Sequence, residues 1–467
     1  MSAGWYPFCS PLADFSANLG EGNIFWRYQK DINNYVARIQ YAMRAGHRKS
    51  DVLIYFPYLN FEGMPDNPSE IMTRGYIEEK QKEVSSNSVR PFDEKMKWAA
   101  KTYELIDLLE ANGYTWEWVN DESIRTATLN KDATINIRGN TFKALILPEV
   151  PIIQLQTAKR IHEMASAGMV LLAYGSYPDR QPSFLNYREN DALTHKMITE
   201  AAIEKKSKHI STSEELQGWI NTLTPEVRFN GHYDFIRQYN RVMKDGSCIR
   251  FMWNKSDQWQ EILLLPDKRY KHYYWLDAKS GQIVADEGEN KFKFRMPPYG
   301  SVILYASVSK KIPSSLLTER DFQTESSEVI SIPEKWEIKV DTLRFHDSAL
   351  FDWRENPDLS YSSSEGVYST YFYIDKYKAG LKYFIDLGKV YHTAEIIVNG
   401  KSCGHLIYEP FRMEISGYIK KGKNKLEIRI LPTQFNSYVG EALLGNKIYS
   451  SFRGKEKILM PAGLIGP

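Results

Sequence analysis

The chain has 467 residues, 60 of them Lys or Arg against 58 Asp or Glu, for a formal net charge of +2. That length exceeds one ordinary core and, at about 150 residues per domain, implies roughly three domains, while the balanced charge gives no electrostatic reason to expect nucleic acid or an anionic membrane as partner. No apolar run reaches the roughly 20 residues that cross a bilayer, and the opening MSAGWYPFCS lacks the basic and apolar regions of a signal peptide.

In chain order, residues 24–46 place Ile32, Tyr35, Val36, Ile39 and Met43 at helical spacing and stop at Gly46, which predicts an amphipathic helix with a glycine cap. DVLIYFP at 51–57 is short and almost wholly apolar, as a strand buried on both faces must be. Residues 58–90 are polar and rich in Glu, Lys and Ser, the pattern of a long surface insertion. From Phe92 onward Met96, Ala99, Tyr103, Ile106 and Leu109 form one helical face that ends at Asn112-Gly113. YTWEWV, KALILPEV at 143–150, a helix over 154–167 closing at Gly168, MVLLAYG at 169–175 and helical patterns near 190–205 and 213–222 follow. Strands alternating with helices predict a parallel sheet covered on both faces, a flavodoxin/amidotransferase-like layered domain over 47–223.

Beyond Pro225 the helices stop. SCIRFMWNKS, QEILLLPD, HYYWLDAKSGQIVADE and GSVILYAS predict a small antiparallel β-sandwich over 226–308. A polar linker at 309–335 separates it from an all-β unit over 336–467. There, YFIDLGKVYHTAEIIVNGKSCGHLI carries Asn399-Gly400 between two alternating runs, the signature of a hairpin with a tight turn. The expected fold class is therefore multidomain α/β plus all-β.

Chemistry-bearing motifs are sparse. Cys9, Cys248 and Cys403 are far apart with no C-x-x-C spacing, so neither a disulfide framework nor a zinc site is signalled and buried free thiols are expected. A layered domain of this kind can carry a nucleophile on a strand-to-helix elbow, but LLAYGSYPDR has no Cys, and Ser176 lacks the G-x-S-x-G context. No glycine-rich phosphate loop occurs. His162 falls inside a predicted helix, and His272 lies on an alternating strand as a packing residue. No metal set or cofactor is signalled, and a structural calcium stays open. Glycosidic cleavage needs two carboxylates about 5–10 Å apart. Near the amino terminus Asp14, Glu21 and Asp31 stand among Trp5, Tyr6, Phe8, Phe25 and Trp26: weak catalytic candidates beside an aromatic rim that could stack on sugar. The competing reading is that these acids cap and solubilise helix ends.

The terminal third resembles a known module. YFIDLGKVYHTAEIIVNGKSCG, EPFRMEISGYIKKGKNKLEIRI and NSYVG are similar to the galactose-binding-like jelly roll of glycoside hydrolase family two, and DWRENPDLSYSSSEGVYSTYFYI, with Trp353 and Tyr368, to that module's entry. NNYVARIQYAMRAGHRKSDVLIYFP and ILMPAGLIGP resemble the α-L-rhamnosidases of family 106, at the junction of barrel and layered domain and at the jelly roll's end. The resemblance runs over nearly the whole chain in the same domain order. It implies that residues 1–46 are the end of a catalytic barrel, that the catalytic acids lie upstream, and that carbohydrate is the partner. It also implies a bacterial periplasmic or secreted setting.

Trp5, Tyr6 and Trp26 would then line part of a subsite, and Tyr408, Glu409, Asn436 and Tyr438, on loops after strands, are candidate glycan contacts. The competing role for Asn436 and Tyr438 is closing the sandwich edge. The helix at 24–46 would meet the barrel portion or self-associate. Two functions follow: the carboxy-terminal portion of a glycosidase acting on rhamnose-containing or related plant or bacterial glycans, or a non-catalytic carbohydrate-binding or scaffold protein. A glutamine-using ligase subunit shares only the layered domain and lacks its Cys.

Overall fold

The computed structural model describes residues 24–57, 90–225, 228–286, 292–309, 311–318, 328–378 and 380–466. Trp5, Tyr6, Cys9, Asp14 and Glu21, the insertion at 58–89 and linker residues 310 and 319–327 lie outside them. The chain divides into two compact units, Arg38–Gln323 and a second in which Met1–Ala37 joins Thr324–Pro467. The predicted amino-terminal helix is α1 (Gln29–Arg44), preceded by a single 3-10 turn at Trp26–Tyr28. Gly46, at φ +57, follows it, and a Cβ there would sit 2.1 Å from the Val242 carbonyl oxygen. Only a residue without a side chain fits that cap.

The first unit is mixed α/β. Its parallel sheet consists of β1 (Val52–Tyr55), β2 (Trp116–Val119), β3 (Ala144–Pro148), β4 (Leu171–Tyr174) and β5 (Lys208–Ile210), in the order β2-β1-β3-β4-β5. Four longer helices accompany it, α2 (Arg90–Ala111), α3 (Leu155–Ser166), α4 (Tyr187–Ala202) and α5 (Ser213–Ile220), beside the short helix Asp121–Thr126. Successive side chains on a strand point to opposite faces, and β1 shows the result. Val52 and Ile54 join Leu105 and Leu109 of α2 and Trp219 of α5 in one core, while Leu53 and Tyr55 join Ile161 of α3 and Ile198 of α4 in the other. Helices thus cover both faces, which is why all four residues of β1 are buried. Each such aliphatic side chain contributes about 1.5–3 kcal/mol by leaving water.

After β5 the pattern becomes antiparallel. β6 (Ile236–Val242), β7 (Cys248–Asn254), β9 (His272–Leu276), β10 (Ile283–Asp286) and β12 (Ser301–Ser307) form one sheet in the order β6-β7-β12-β9-β10. β8 (Gln260–Leu264) pairs with β11 (Phe292–Met296). A short strand absent from the sequence reading, His47–Lys49, pairs with β6 at the sheet edge. The three residues placed at the start of the layered region thus belong to this antiparallel sheet.

In the second unit, β13 (Trp336–Val340), β14 (Leu343–Ser348), β15 (Gly366–Ile374), β16 (Thr393–Val398), β17 (Lys401–Leu406) and β18 (Gly422–Leu431) make an antiparallel sheet in the order β14-β13-β15-β18-β16-β17. Asn399 and Gly400 turn β16 into β17 with φ of 51° and 80°, the two left-handed positions that an Asn-Gly hairpin supplies. Buried Trp353 donates from Nε1 to the Tyr368 hydroxyl at 2.7 Å, and the Leu464 amide donates to the same oxygen at 3.2 Å. A Cβ on Gly463 would lie 2.5 Å from the Trp353 ring. The entry and closing segments singled out in the sequence therefore meet in one core.

Candidate functional site

The described candidates from the two ends of the chain meet within the second unit. Asp31, in the first turn of α1, accepts a hydrogen bond from His405 Nε2 of β17 at 2.5 Å, and the Tyr28 ring lies 4.5 Å from the His405 ring. One helical turn later, Tyr35 sets its ring 6.3 Å from Tyr408, which is 40% exposed. Arg27 reaches Glu365 at 3.7 Å. Trp26 is exposed and Glu409 half-buried. Helical spacing dictates this arrangement, because Tyr28, Asp31 and Tyr35 lie on one side of the helix.

Tyr408 offers a phenol ring of the kind that stacks on a sugar face, and Trp26, two residues before Tyr28, an exposed indole. Asp31, by contrast, is partnered by an imidazole, whereas a glycosidic acid works with a second carboxylate. His405 was not singled out in the sequence. Its position opposite Glu395 across the β16–β17 hairpin is legible from the Asn-Gly turn, but its meeting with Asp31 is 374 residues long-range and leaves no local signal.

Asn436 and Tyr438 do not sit on a loop. They lie on α6 (Phe435–Leu443), and Asn436 is 3% exposed. Its amide donates to the Met460 carbonyl at 2.7 Å and accepts from the Met460 amide at 2.8 Å. Both polar ends are engaged, so the side chain ties the helix to the segment before the last strand. The Tyr438 hydroxyl donates to Gln434 Oε1, and its ring stacks on Tyr449 at 4.9 Å. These are the contacts of the edge-closing role.

At the carboxyl ends of the parallel strands, where α/β sheets place their ligands, polar groups bind one another. Tyr174 donates to Glu104 Oε2 at 2.5 Å, Ser213 also donates to Glu104, and Lys101 donates to the Tyr174 hydroxyl at 3.1 Å. Burial pushes the Glu104 carboxyl upward, but the bonds from Ser213, Tyr174 and Lys101 outweigh it and hold the group below its ordinary range. Ser176 donates to Glu149 Oε1 at 2.8 Å, and a carboxylate partner without an imidazole is no nucleophile-activating pair. His162 sits on α3 with Nε2 3.5 Å from Glu200, and His272 packs near Tyr274. Cys248 is buried and Cys403 half-buried, both free. Among the described residues no group of three or more metal-ligating side chains gathers, and no helix is long and apolar enough to cross a membrane.

A cleft of about 560 Å³ in the first unit is lined by Lys49, Lys131, Lys143, Asp132 and Thr141 among others. Lys49 donates to Thr141 Oγ1 at 2.6 Å, and Lys143 donates to Asp51 Oδ1 at 2.5 Å. The Asp51 side chain is fully buried and also accepts from the Thr115 amide and hydroxyl.

Comparison with known proteins places this architecture. A rhamnosidase from Novosphingobium sp. PP1Y superposes with a TM-score of 0.60 at 18% identity, covering 97% of this chain and 42% of the rhamnosidase. The chain shares its fold with part of a rhamnosidase. In sequence, a protein of Formosa agariphila named as a candidate beta-glucuronidase is 27% identical over 209 residues, 43% of this chain and 17% of that protein. An exo-carrageenase of Bacteroides ovatus aligns at a TM-score of 0.32, too slight a likeness to bear on this chain. The chain spans less than half the length of either of the first two, and no family model matches it.

Proposed function

We propose that this chain is the glycan-handling, non-cleaving portion of a glycoside hydrolase of the α-L-rhamnosidase type. In this reading the parallel-sheet region is a flavodoxin/amidotransferase-like accessory domain, residues 226–308 a second accessory sandwich, and residues 336–467 a sugar-binding jelly roll. The 2-1-3-4-5 strand order is that of flavodoxin-like sheets, which supports the first assignment. The observation that carries the proposal is the fold match across 97% of the chain. Because fold alone does not fix activity, the sequence likeness to a glucuronidase-named protein supports the carbohydrate assignment separately.

Chemistry is assigned to groups outside this chain. Asp31 is bound to His405, Ser176 to Glu149, and the carboxyl ends of the parallel strands are occupied by mutual hydrogen bonds. Trp26, Tyr408 and Glu409 remain as sugar contacts, a wall that positions a substrate by stacking. The test is hydrolysis of a panel of aryl glycosides, including the α-L-rhamnoside and the β-D-glucuronide, by the purified chain. The proposal expects no turnover from the chain itself and restored α-L-rhamnosidase turnover when the same segment sits in a longer protein. Turnover by the chain that disappears in Asp31→Asn would overturn it.

A further inference from the structure

The charge balance of the whole chain conceals an asymmetry in the second unit. On β18, Lys423 and Lys425 alternate with buried Asn424 and Leu426 and point to the outer face of the sheet. Opposite them on β15 stand Tyr373 and Tyr371, in register with Lys423 and Lys425 respectively. Directly opposed residues share one face, so two phenol rings and two ammonium groups form a single surface. Tyr371 is 48% and Tyr373 56% exposed, and the Lys423 ammonium sits 3.9 Å over the Tyr371 ring.

The turns at this end add to the charge. Lys420 and Lys421 precede β18, Lys376 and Lys378 follow β15, and Lys401 opens β17 beside the Asn399-Gly400 turn; all are exposed. Asp375 is the acid within these turns, and Glu427 lies further along β18, 3.9 Å from Lys425. Among the described residues none of Lys376, Lys378, Lys420, Lys421 and Lys423 forms an ion pair. The scaffold beneath is fixed. Fully buried Asn424 donates to the Lys420 and Gly422 carbonyls and accepts from the Lys420 amide at 2.9 Å, and Asn399 donates to Asn424 Oδ1 at 2.8 Å. The Lys420–Gly422 turn and the Asn399-Gly400 turn are therefore tied together before any ligand arrives, which lowers the ordering cost of binding.

We propose that this end of the carboxy-terminal sandwich binds an anionic polysaccharide, its lysines contacting sulfate or carboxylate groups and Tyr371 and Tyr373 stacking on sugar rings. The proposal rests on the carbohydrate-active reading above and adds the charge of the glycan. Overall charge argued against a polyanion; local charge reverses that argument. Lysine supplies mobile point charges suited to substituents spaced along a flexible chain, and flat exposed rings suit the apolar faces of sugars. Nucleic acid is the competing occupant, and the tyrosine pair is the variant that separates the two.

The experiment is affinity electrophoresis of the full chain through dextran sulfate, polygalacturonate, uncharged dextran and double-stranded DNA, at low and high salt. Retention by dextran sulfate or polygalacturonate and none by dextran is expected, the stronger of the two identifying sulfate or carboxylate as the group recognised. The pair Lys423→Gln and Lys425→Gln should weaken retention about tenfold and reduce its salt dependence. The pair Tyr371→Ala and Tyr373→Ala should weaken it about threefold to tenfold at unchanged salt dependence. Lys339→Gln, on the same face at the other end of β13, should leave it intact.

Retention unmoved by the lysine pair, or DNA held as tightly as polysaccharide and indifferent to the tyrosine pair, would overturn the inference. Retention by dextran equal to that by the charged polymers would overturn the anionic preference while leaving the carbohydrate reading in place. Absence of retention on every polysaccharide would overturn the inference too. The hydrolysis assay on the longer protein decides the carbohydrate reading independently.

Discussion

Two groups of lysines in this molecule meet opposite fates. In the cleft of the first unit, Lys49 turns its ammonium group onto the Thr141 hydroxyl and Lys143 pairs with the Asp51 carboxylate, so both are bound within the fold. At one end of the carboxy-terminal antiparallel sheet, Lys420, Lys421 and Lys423 have no acidic partner among the described residues, and Asn424, braced by Asn399, holds the turn that carries Lys420 and Lys421. The same residue type stabilises one structure and decorates the other. A lysine beside a buried carboxylate is held there by the carboxylate's need for a partner. One on an exposed strand face is free to meet a ligand, and a formal net charge of +2 distinguishes neither case.

That comparison predicts a graded set of substitution effects. Lys143→Ala removes the ammonium partner of the fully buried Asp51 side chain and should destabilise the first unit by about 3 kcal/mol, read by urea denaturation. Wild-type stability in that variant would mean that Asp51 is solvated and the contrast between the two lysine groups is false. Next comes Asp352, 9% exposed and bound by Arg354 and the Ala462 amide. Burial raises its carboxyl, but those hydrogen bonds outweigh burial and hold it below the ordinary value.

A depressed folded value contributes stability that is present above the unfolded value of about 4 and is lost as pH falls through the folded one. Melting of the second unit should therefore drop below about pH 4. Asp352→Asn should lower stability by about 1–3 kcal/mol at neutral pH and flatten that acid limb. An unchanged limb in the variant would remove Asp352 from the account.

Tyr174→Phe deletes one donor to Glu104 and should cost about 1 kcal/mol, with no effect on retention by any polysaccharide. Lys423→Ala should change stability by less than about 0.5 kcal/mol while weakening retention. A larger loss of stability would show that the exposed lysines belong to the fold after all.

Much of the architecture was legible because it rests on local constraints. Gly113 and Gly168 end their helices at φ 84° and 100°, positions that glycine alone adopts cheaply. The apolar run at β1 announced a two-faced burial. What escaped is short or long-range. The three-stranded sheet of Thr128–Leu129, Ile135–Ile137 and Asn140–Phe142 has strands too short to show a period. His47–Lys49 pairs with Asn240–Val242, nearly two hundred residues away.

The candidate sites divide the same way. Asn436 is a polar residue on an apolar helix whose partner is the Met460 backbone, invisible without the fold. The basic end had a signal in DKYKAGLK and YIKKGKNK, but averaging charge over the chain erased it. The two stretches become one surface only because β15 and β18 pair antiparallel from Gly366↔Ile430 to Ile374↔Gly422.

The central claim is that this chain handles glycan without cleaving it. Its most direct test measures, on one preparation, turnover of the aryl glycoside panel and binding of charged polysaccharide. The account predicts no turnover together with retention that the Lys423→Gln and Lys425→Gln pair weakens. Turnover abolished by Asp31→Asn, with retention indifferent to those lysines, would contradict it on both counts.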